Sequence, residues 1–300
     1  MFDLTPTLDC AGRALALDRP RIAGIVNVTS DSFSDGGQFL DPQRAIAHGL
    51  MLVEEGADLL DIGGESTRPG ASEISADEEI ARVVPVIEAL AKQTSVPIAV
   101  DTSKPEVMRA AAAAGAGIIN DVYALCRDGA LDAAAGLKLP VCLMHMQGEP
   151  RTMQEAPHYD DVVGEVKRFL ADRIFACELA GIEKKRIVVD PGFGFGKTLE
   201  HNLALLRGLD QLAALGVPLL AGLSRKGMIG ALTGRDVEHR AAGSAAAALI
   251  AVQKGAMIVR VHDVAATRDA LAVWQAVASG MKPAAKPQKP FGSQRFGDDD

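Results

Sequence analysis

The chain has 300 residues, 48% of them hydrophobic, so it can bury a large core, and its length favours one α/β barrel of about 250 residues over two domains. Aromatic residues make up only 4% and the formal net charge is −8, which argues against a stacking surface for single strands and against a general nucleic-acid or membrane-surface role. The four cysteines are scattered without a zinc-type pair and no apolar run is long enough to cross a membrane, so we expect a protein of the reducing cytoplasm.

Apolar runs of strand length alternate with helical patterns along the chain, after a lead-in over residues 1–20 that we expect to form a hairpin beneath a barrel. The predicted strands comprise residues 22–26, 58–62, 97–100, 117–119, 140–144, 187–189, 218–221 and 257–261. The predicted helices comprise residues 42–55, 75–93, 105–114, 130–135, 159–180, 199–215, 226 onward together with 238–253, and 265–278. This alternation predicts an α/β fold, the (β/α)8 TIM barrel, as a single domain over residues 1–280 with a disordered tail at 281–300.

Polar side chains stand where nearly every predicted strand ends, and in a TIM barrel these ends surround the active site. Any one of them could be an ordinary loop residue, because loops are exposed to solvent and are commonly polar. The whole set, however, predicts one site at the barrel mouth. Its members are Asn27, Glu65, Thr67, Arg68, Asp101, Asn120, His145, Asp190, Ser224, Lys226, Arg260 and His262.

Three of these residues, Asp101, Asn120 and Asp190, would place acceptor oxygens around the barrel mouth. Partly buried carboxylates are costly unless they are paired. Lys226 could pair with one of them, and an aminopyrimidine-type heterocycle, with adjacent ring N–H and amino groups, could bind the others. Asp190 could instead be a turn residue before Pro191.

Arg260 and His262 are two residues apart on an extended segment, so their side chains point to the same side. Together with Asn27 they predict a phosphate site between the last and first strands. The alternative for Arg260 is an ion pair with a carboxylate on the rim. The amide oxygen of Asn27 could help to bind Mg²⁺, which keeps several waters and relies on substrate phosphates. We expect no tight permanent metal.

The glycine-rich segment 190–198 is not a P-loop, since Pro191 stands where the first glycine of that motif belongs. We expect a mobile or tightly turned loop in which Phe193 or Phe195 either walls a ligand or packs in the core. Residues 224–226 begin a predicted helix whose N-terminus could bind an anion. The alternatives there are ordinary capping by Ser224 and a solvated charge at Arg225. No nucleophile–base pair is evident, so chemistry that relies on positioning and leaving-group stabilisation fits.

Eight segments carry a more specific pattern. They are Ile25-Val-Asn-Val-Thr-Ser-Asp-Ser-Phe-Ser-Asp-Gly-Gly37, Asp61-Ile-Gly-Gly-Glu-Ser-Thr-Arg-Pro-Gly70, Val100-Asp-Thr-Ser103, Ile119-Asn-Asp121, Met144-His-Met-Gln-Gly148, Asp190-Pro-Gly-Phe-Gly-Phe-Gly-Lys197, Gly222-Leu-Ser-Arg-Lys226 and Arg260-Val-His262. In this order they resemble the dihydropteroate synthase family of pterin-binding enzymes, and the resemblance covers residues 22–277.

The resemblance implies that the amine of 4-aminobenzoate replaces the diphosphate of 6-hydroxymethyl-7,8-dihydropterin diphosphate, in a homodimeric enzyme that uses Mg²⁺. It implies that the pterin is bound by Asp101, Asn120, Asp190 and Lys226 in a pocket lined by Met144. It implies that the diphosphate is held by Asn27, Arg260 and His262 near Thr67 and Arg68, with Asn27 toward Mg²⁺. It implies that 4-aminobenzoate contacts Ser224, Phe195 and Lys226 beneath Phe33 and Pro69. The implied catalytic residues are Asp101, Lys226, Arg260 and His262.

Two other functions remain open. Methyl transfer from methyltetrahydrofolate would use the same pterin pocket, but it has no use for Arg260, His262 or Phe33. A non-catalytic relative that binds a pterin or a partner protein is argued against only by the intact polar set. A barrel aldolase is disfavoured because Lys226 lies at a loop–helix junction, where we expect no lowering of its pKa.

Overall fold

The computed structural model describes residues 6–29, 42–67 and 72–280, and in it the predicted (β/α)8 barrel is confirmed. The strands are β1 (Thr7–Cys10), β2 (Arg13–Ala16), β3 (Arg21–Asn27), β4 (Leu59–Gly63), β5 (Ile98–Asp101), β6 (Ile118–Asp121), β7 (Val141–Met144), β8 (Ile187–Asp190), β9 (Leu220–Ala221) and β10 (Ile258–Val261). The α-helices are α1 (Pro42–Glu55), α2 (Ala76–Gln93), α3 (Pro105–Ala114), α4 (Ala130–Leu137), α5 (Val162–Leu179), α6 (Leu199–Arg207), α7 (Leu209–Ala213), α8 (Gly227–Thr233), α9 (Ala241–Gln253) and α10 (Val264–Ser279). The tail predicted at 281–300 lies outside the described residues.

Eight parallel strands form the barrel in the order β8-β7-β6-β5-β4-β3-β10-β9. A parallel bridge between Val189 and Leu219 joins the two outer strands and closes the sheet. The register pairs Asn27 with Gly63, Gly63 with Asp101, and Asp101 with Asn120. Side chains from neighbouring strand ends therefore reach the same mouth.

A hairpin of β1 and β2 covers the opposite end of the barrel, as predicted for the lead-in. Leu8 and Cys10 are buried there against inward-facing side chains such as Ala23 and Ile118. The fit is close, because a Cβ at Gly117 would lie 2.4 Å from the carbonyl oxygen of Cys10. Two larger apolar clusters fill the space between the barrel and its helices.

Some predicted boundaries were wrong. The helix predicted over 199–215 is divided at Gly208 into α6 and α7, and the strand predicted over 218–221 contains only Leu220–Ala221. A Cβ at residue 208 would stand 3.0 Å from Val163 on α5, so this glycine permits a close approach between helices. Within the described part of the chain, no helix is long and apolar enough to cross a membrane.

Candidate active site

A buried network of ionic side chains occupies the carboxyl end of the barrel. Arg260 reaches from β10 across the mouth, where its Nη2 donates to Oδ2 of Asp101 at 2.7 Å and its Nε donates to Oδ2 of Asp61. The alternative that the sequence allowed for Arg260, an ion pair with a carboxylate, is therefore present, and it lies in the mouth of the barrel. A phosphate site at Arg260 stays a prediction, since the phosphate would have to take the place of Asp101 at Nη2.

Asp61 is a member of this network that the sequence analysis missed. It lies in the middle of β4, is buried, and accepts a hydrogen bond from Nδ2 of Asn120 at 3.2 Å as well as the bond from Arg260. The available signal was a single charge inside an otherwise apolar strand, since a buried carboxylate requires a partner. The predicted site contains only residues at or beyond strand ends, and Asp61 lies within a strand.

Burial shifts the ionisation of the groups that line the mouth. Desolvation raises the pKa of Asp101 to about 7, against the lowering influence of Arg260 and together with the charge of Asp61. Burial also raises the pKa of Asp190, although its Oδ1 accepts a 2.7 Å hydrogen bond from the N–H of Gly192. These two carboxyl groups are thus more easily protonated than ordinary aspartates.

Lys226 completes the ring of charges at the N-cap of α8. Its ammonium lies 4.1 Å from the centre of the Phe195 ring, a cation–π contact. Burial lowers the pKa of Lys226 to about 8, although the charge of Asp190 favours the protonated form. The expectation that this pKa would not fall was wrong, because the lysine is half-buried against Phe195 despite its place at a loop–helix junction.

The segment 190–197 is a tightly turned loop fastened from within by Lys197, a residue for which no role was predicted. Its buried Nζ donates to the carbonyl oxygens of Gly192 at 2.9 Å and Phe195 at 3.0 Å, and it contacts Nδ1 of His145 at 3.0 Å. Phe193 packs fully in the core while Phe195 is half-buried beneath Lys226, so Phe195 is the aromatic residue available to a ligand.

The ends of β9 and β10 bring Ser224 and His262 together. Oγ of Ser224 accepts from the backbone N–H of His262 at 3.1 Å and lies 3.1 Å from its Nδ1. Burial and the nearby Arg260 lower the pKa of His262 to about 3, so its ring is neutral near pH 7. Arg225, for which a solvated charge was one alternative, forms a two-point ion pair with Asp263 at 2.6 and 3.0 Å.

The remaining predicted residues are divided between the mouth and the undescribed segments. Asn27 is half-buried at the end of β3, and the buried Met144 pairs in register with Asp190. Thr67 lines a cleft that also includes Asp101 and Arg127. Phe33, Arg68 and Pro69 lie outside the described residues.

The described part of the site supplies few ligands for a metal ion. Across the described residues 6–29, 42–67 and 72–280, no three His, Cys, Asp or Glu side chains cluster as metal ligands. Asn27 contributes one amide oxygen at the strand end. Such a donor fits Mg²⁺ that brings its own waters and phosphate ligands.

Comparison with known proteins gives consistent matches over most of the chain. A family model described as "Pterin binding enzyme" matches residues 23–262. The dihydropteroate synthase of Escherichia coli (strain K12) is 53% identical over 268 residues, which are 89% of this chain and 95% of that protein. The dihydropteroate synthase of Xanthomonas albilineans with 4-aminobenzoic acid is 65% identical with a TM-score of 0.88, over 92% of this chain and 99% of that one. The X. albilineans enzyme in complex with 7,8-dihydropteroate is 62% identical with a TM-score of 0.84, over 91% and 99% of the two chains.

Proposed function

The chain belongs to the pterin-binding enzyme family and acts as a dihydropteroate synthase, and we propose that the strand-end residues described above carry its reaction. In that reaction the amine of 4-aminobenzoate displaces diphosphate from 6-hydroxymethyl-7,8-dihydropterin diphosphate. The observation that carries the assignment of residues is the buried ionic network, in which Asp101, Asn120 and Arg260 are joined through hydrogen bonds. The network offers acceptor oxygens for the N–H groups of the pterin, and it places the positive charge of Arg260 beside them for the departing diphosphate.

The pterin would lie on the acceptor side of the network. Asp101, Asn120 and Asp190 supply oxygens for its ring N–H and amino groups, and the buried Met144 lines the pocket. As the carbon–oxygen bond to the diphosphate breaks, positive charge develops on the pterin and its methylene. The nearby carboxylate of Asp101 would stabilise that charge. Fixed charges in a site that holds little water can lower the activation barrier strongly.

The diphosphate would lie toward the seam of β3 and β10. Arg260 on β10 and His262 just after it would face it, and Asn27 ends the neighbouring strand. Thr67 follows β4, and Arg68, which the resemblance also assigns to the diphosphate, lies outside the described residues. Nη2 of Arg260 would then turn from Asp101 toward the phosphates. Mg²⁺, when bound with Asn27 and the diphosphate, would neutralise part of the charge on the leaving group.

The 4-aminobenzoate would enter above the pterin. Ser224 and the start of α8 would face its carboxylate, and Phe195 and Lys226 would pack against its ring. The resemblance also assigns Phe33 and Pro69 to this ligand, and both lie outside the described residues. An arylamine is already nucleophilic, so no residue is required as a strong general base. The neutral His262 and the ion-paired Arg225 agree with this division, in which the protein chiefly positions the reactants.

The test is release of diphosphate by the purified protein, given the pterin diphosphate and Mg²⁺, with and without 4-aminobenzoate. Release that requires both substrates, with dihydropteroate formed, is expected. Pterin binding without release would instead favour the non-catalytic alternative. Transfer of a methyl group from methyltetrahydrofolate would favour the methyltransferase.

Replacing Asp101 with Asn tests its assigned role. The variant removes the charge next to the reacting ring while preserving shape, so we expect a folded protein whose kcat falls on the order of 100-fold or more. The measurement is kcat with the circular dichroism spectrum as the control of folding. Wild-type turnover in Asp101→Asn would remove this residue from the mechanism.

We also propose a cytoplasmic homodimer. All four cysteines are free thiols, in keeping with a reducing compartment. Exposed apolar side chains on α9 and α10, namely Ile250, Val273 and Val277, are suited to a subunit contact. Light scattering after size exclusion gives the mass directly, and a monomer mass at micromolar concentration would contradict the dimer.

A further inference from the structure

Two carboxylates, one just before β4 and one within it, are bonded to arginines toward opposite ends of the barrel. Asp58, just before β4, accepts from Arg19 at 2.5 Å and Arg21 at 2.9 Å at the hairpin end. Asp61 lies inside the barrel and bonds Arg260 near the mouth. The first pair fastens the closed end of the fold. In the second pair, Arg260 is assigned to the diphosphate, while Asp61 has no role assigned to it.

One oxygen of Asp61 holds two residues of the proposed site. Its Oδ2 accepts from Nε of Arg260 and from Nδ2 of Asn120, and its Oδ1 has no hydrogen-bond partner among the described residues. Arg260 is also bonded to Asp101, but through a different nitrogen, Nη2. The guanidinium is therefore held by two carboxylates, that of Asp101 at the end of β5 and that of Asp61 in the middle of β4.

Binding of the pterin would break only one of these two bonds of Arg260, the one to Asp101. Its N–H groups would occupy Asp101, so Nη2 of Arg260 must leave that carboxylate, while Nε stays bonded to Asp61. We propose that Asp61 is a positioning residue for this reaction, which retains Arg260 and Asn120 while Arg260 exchanges Asp101 for the diphosphate. This inference rests on the proposed function, because it requires that the pterin bind at Asp101 and the diphosphate at Arg260.

The consequence of removing the charge of Asp61 follows from the pairing. In an Asp61→Asn variant the side chain keeps its shape, but Asp101 becomes the sole carboxylate bonded to Arg260. The pterin must then compete with the full charge of Arg260 for Asp101, and the guanidinium no longer has its fixed anchor. Misplacement of a reacting group by about 1 Å can cost on the order of 100-fold in rate.

The experiment compares Asp61→Asn with Asp58→Asn, measuring kcat and KM for both substrates and the thermal midpoint. For Asp61→Asn we expect kcat/KM for the pterin diphosphate to fall on the order of 100-fold, with KM for 4-aminobenzoate unchanged. Asp58→Asn loses its bonds to Arg19 and Arg21, so we expect a lower midpoint with unchanged kinetic constants. If Asp61→Asn does not fold, Asp61→Ser, which keeps an oxygen acceptor without the charge, takes its place.

A pH profile provides a second readout that a structural role would not move. Asp101 is faced by Arg260 from β10, Asp61 from β4, Glu79 from α2 and Asp121 from β6. Because the charge of Asp61 raises the pKa of Asp101, its removal should move the acid limb of kcat/KM to lower pH.

Wild-type kcat/KM and an unmoved acid limb in Asp61→Asn would overturn the inference, as would parallel losses for both substrates that follow the loss of stability. A wild-type protein that forms no dihydropteroate would overturn the proposed function instead. The wild type assayed in parallel therefore separates the two failures.

Discussion

At the scale of single residues, burial shifts the pKa values of Asp101 and Lys226 at the barrel mouth toward neutral pH. Two carboxylates share Arg260, and Lys226 is enclosed beside Phe195. The burial that makes these charges costly also strengthens their interactions with a ligand, because little water is left to screen them. The ionisation of the site should therefore be visible in its kinetics.

The pH dependence of kcat/KM should be bell-shaped. Asp101, with a pKa of about 7, is protonated at lower pH and then cannot accept from the pterin, so activity should rise as pH increases through 7. Lys226, with a pKa of about 8, loses its charge above that value, so activity should fall again. The measurement is kcat/KM for the pterin diphosphate from pH 5 to 10, which reports the free enzyme. A flat profile through pH 7 would mean that the charge of Asp101 is not needed.

The sequence predicted which residues meet at the mouth but not how they pair. Asp101, Asn120, Asp190 and Lys226 could be located because each follows an apolar run in an alternating pattern. Asp61 could not be found by that rule, since it lies within a strand, and the choice between phosphate and carboxylate for Arg260 depends on three-dimensional distances. Pairing across the lumen joins residues up to 199 positions apart, and no local pattern records it.

At the scale of elements, the loop between β8 and α6 is held by one buried lysine. Lys197 binds carbonyl groups at both ends of a turn whose Gly192, at a φ of +68°, leaves no space for a Cβ because one would lie 1.9 Å from the carbonyl oxygen of His145. The alternatives at the sequence level were a mobile or a tightly turned loop. The choice depended on where the ammonium of Lys197 points, which the sequence does not encode locally.

Replacing Lys197 with Met should loosen this loop. The change keeps the length of the side chain but removes the donor to the Phe195 carbonyl and the contact to Nδ1 of His145, and it leaves the Gly192 carbonyl with the N–H of Phe195 alone. We expect the free energy of unfolding to fall by about 1–3 kcal/mol. Because Asp190 and Phe195 lie on the loop, KM for the pterin diphosphate should also rise. Chemical denaturation and steady-state kinetics measure the two effects.

The matched control is Lys185→Met, which breaks an exposed ion pair with Glu183. Exposed pairs contribute about 0–1 kcal/mol, so this variant should resemble the wild type. Equal effects of the two substitutions would show that Lys197 has no special role in fastening the loop.

At the scale of the whole molecule, the barrel is closed by contacts within the chain itself. The hairpin closes one end, the bridge between Val189 and Leu219 closes the sheet, and the ionic network fills the mouth. The alternating pattern was sufficient to predict this architecture, because eight strand–helix units leave few other arrangements. The division of α6 from α7 could not be predicted, because it depends on contact with α5.

The stability of the molecule should accordingly be independent of Mg²⁺ until the diphosphate substrate is present. In the described part of the chain no group of acidic or histidine side chains forms a metal site, and Asn27 alone is a weak ligand. We therefore expect the same thermal midpoint in EDTA and in millimolar Mg²⁺. Pterin diphosphate at about 100 times its Kd would stabilise by about 2.7 kcal/mol, and this gain should require Mg²⁺. Scanning calorimetry in EDTA and in Mg²⁺, each with and without pterin diphosphate, measures the thermal midpoint. An increase of the midpoint by Mg²⁺ alone would indicate a resident metal site and would contradict the view that the ion arrives with the substrate.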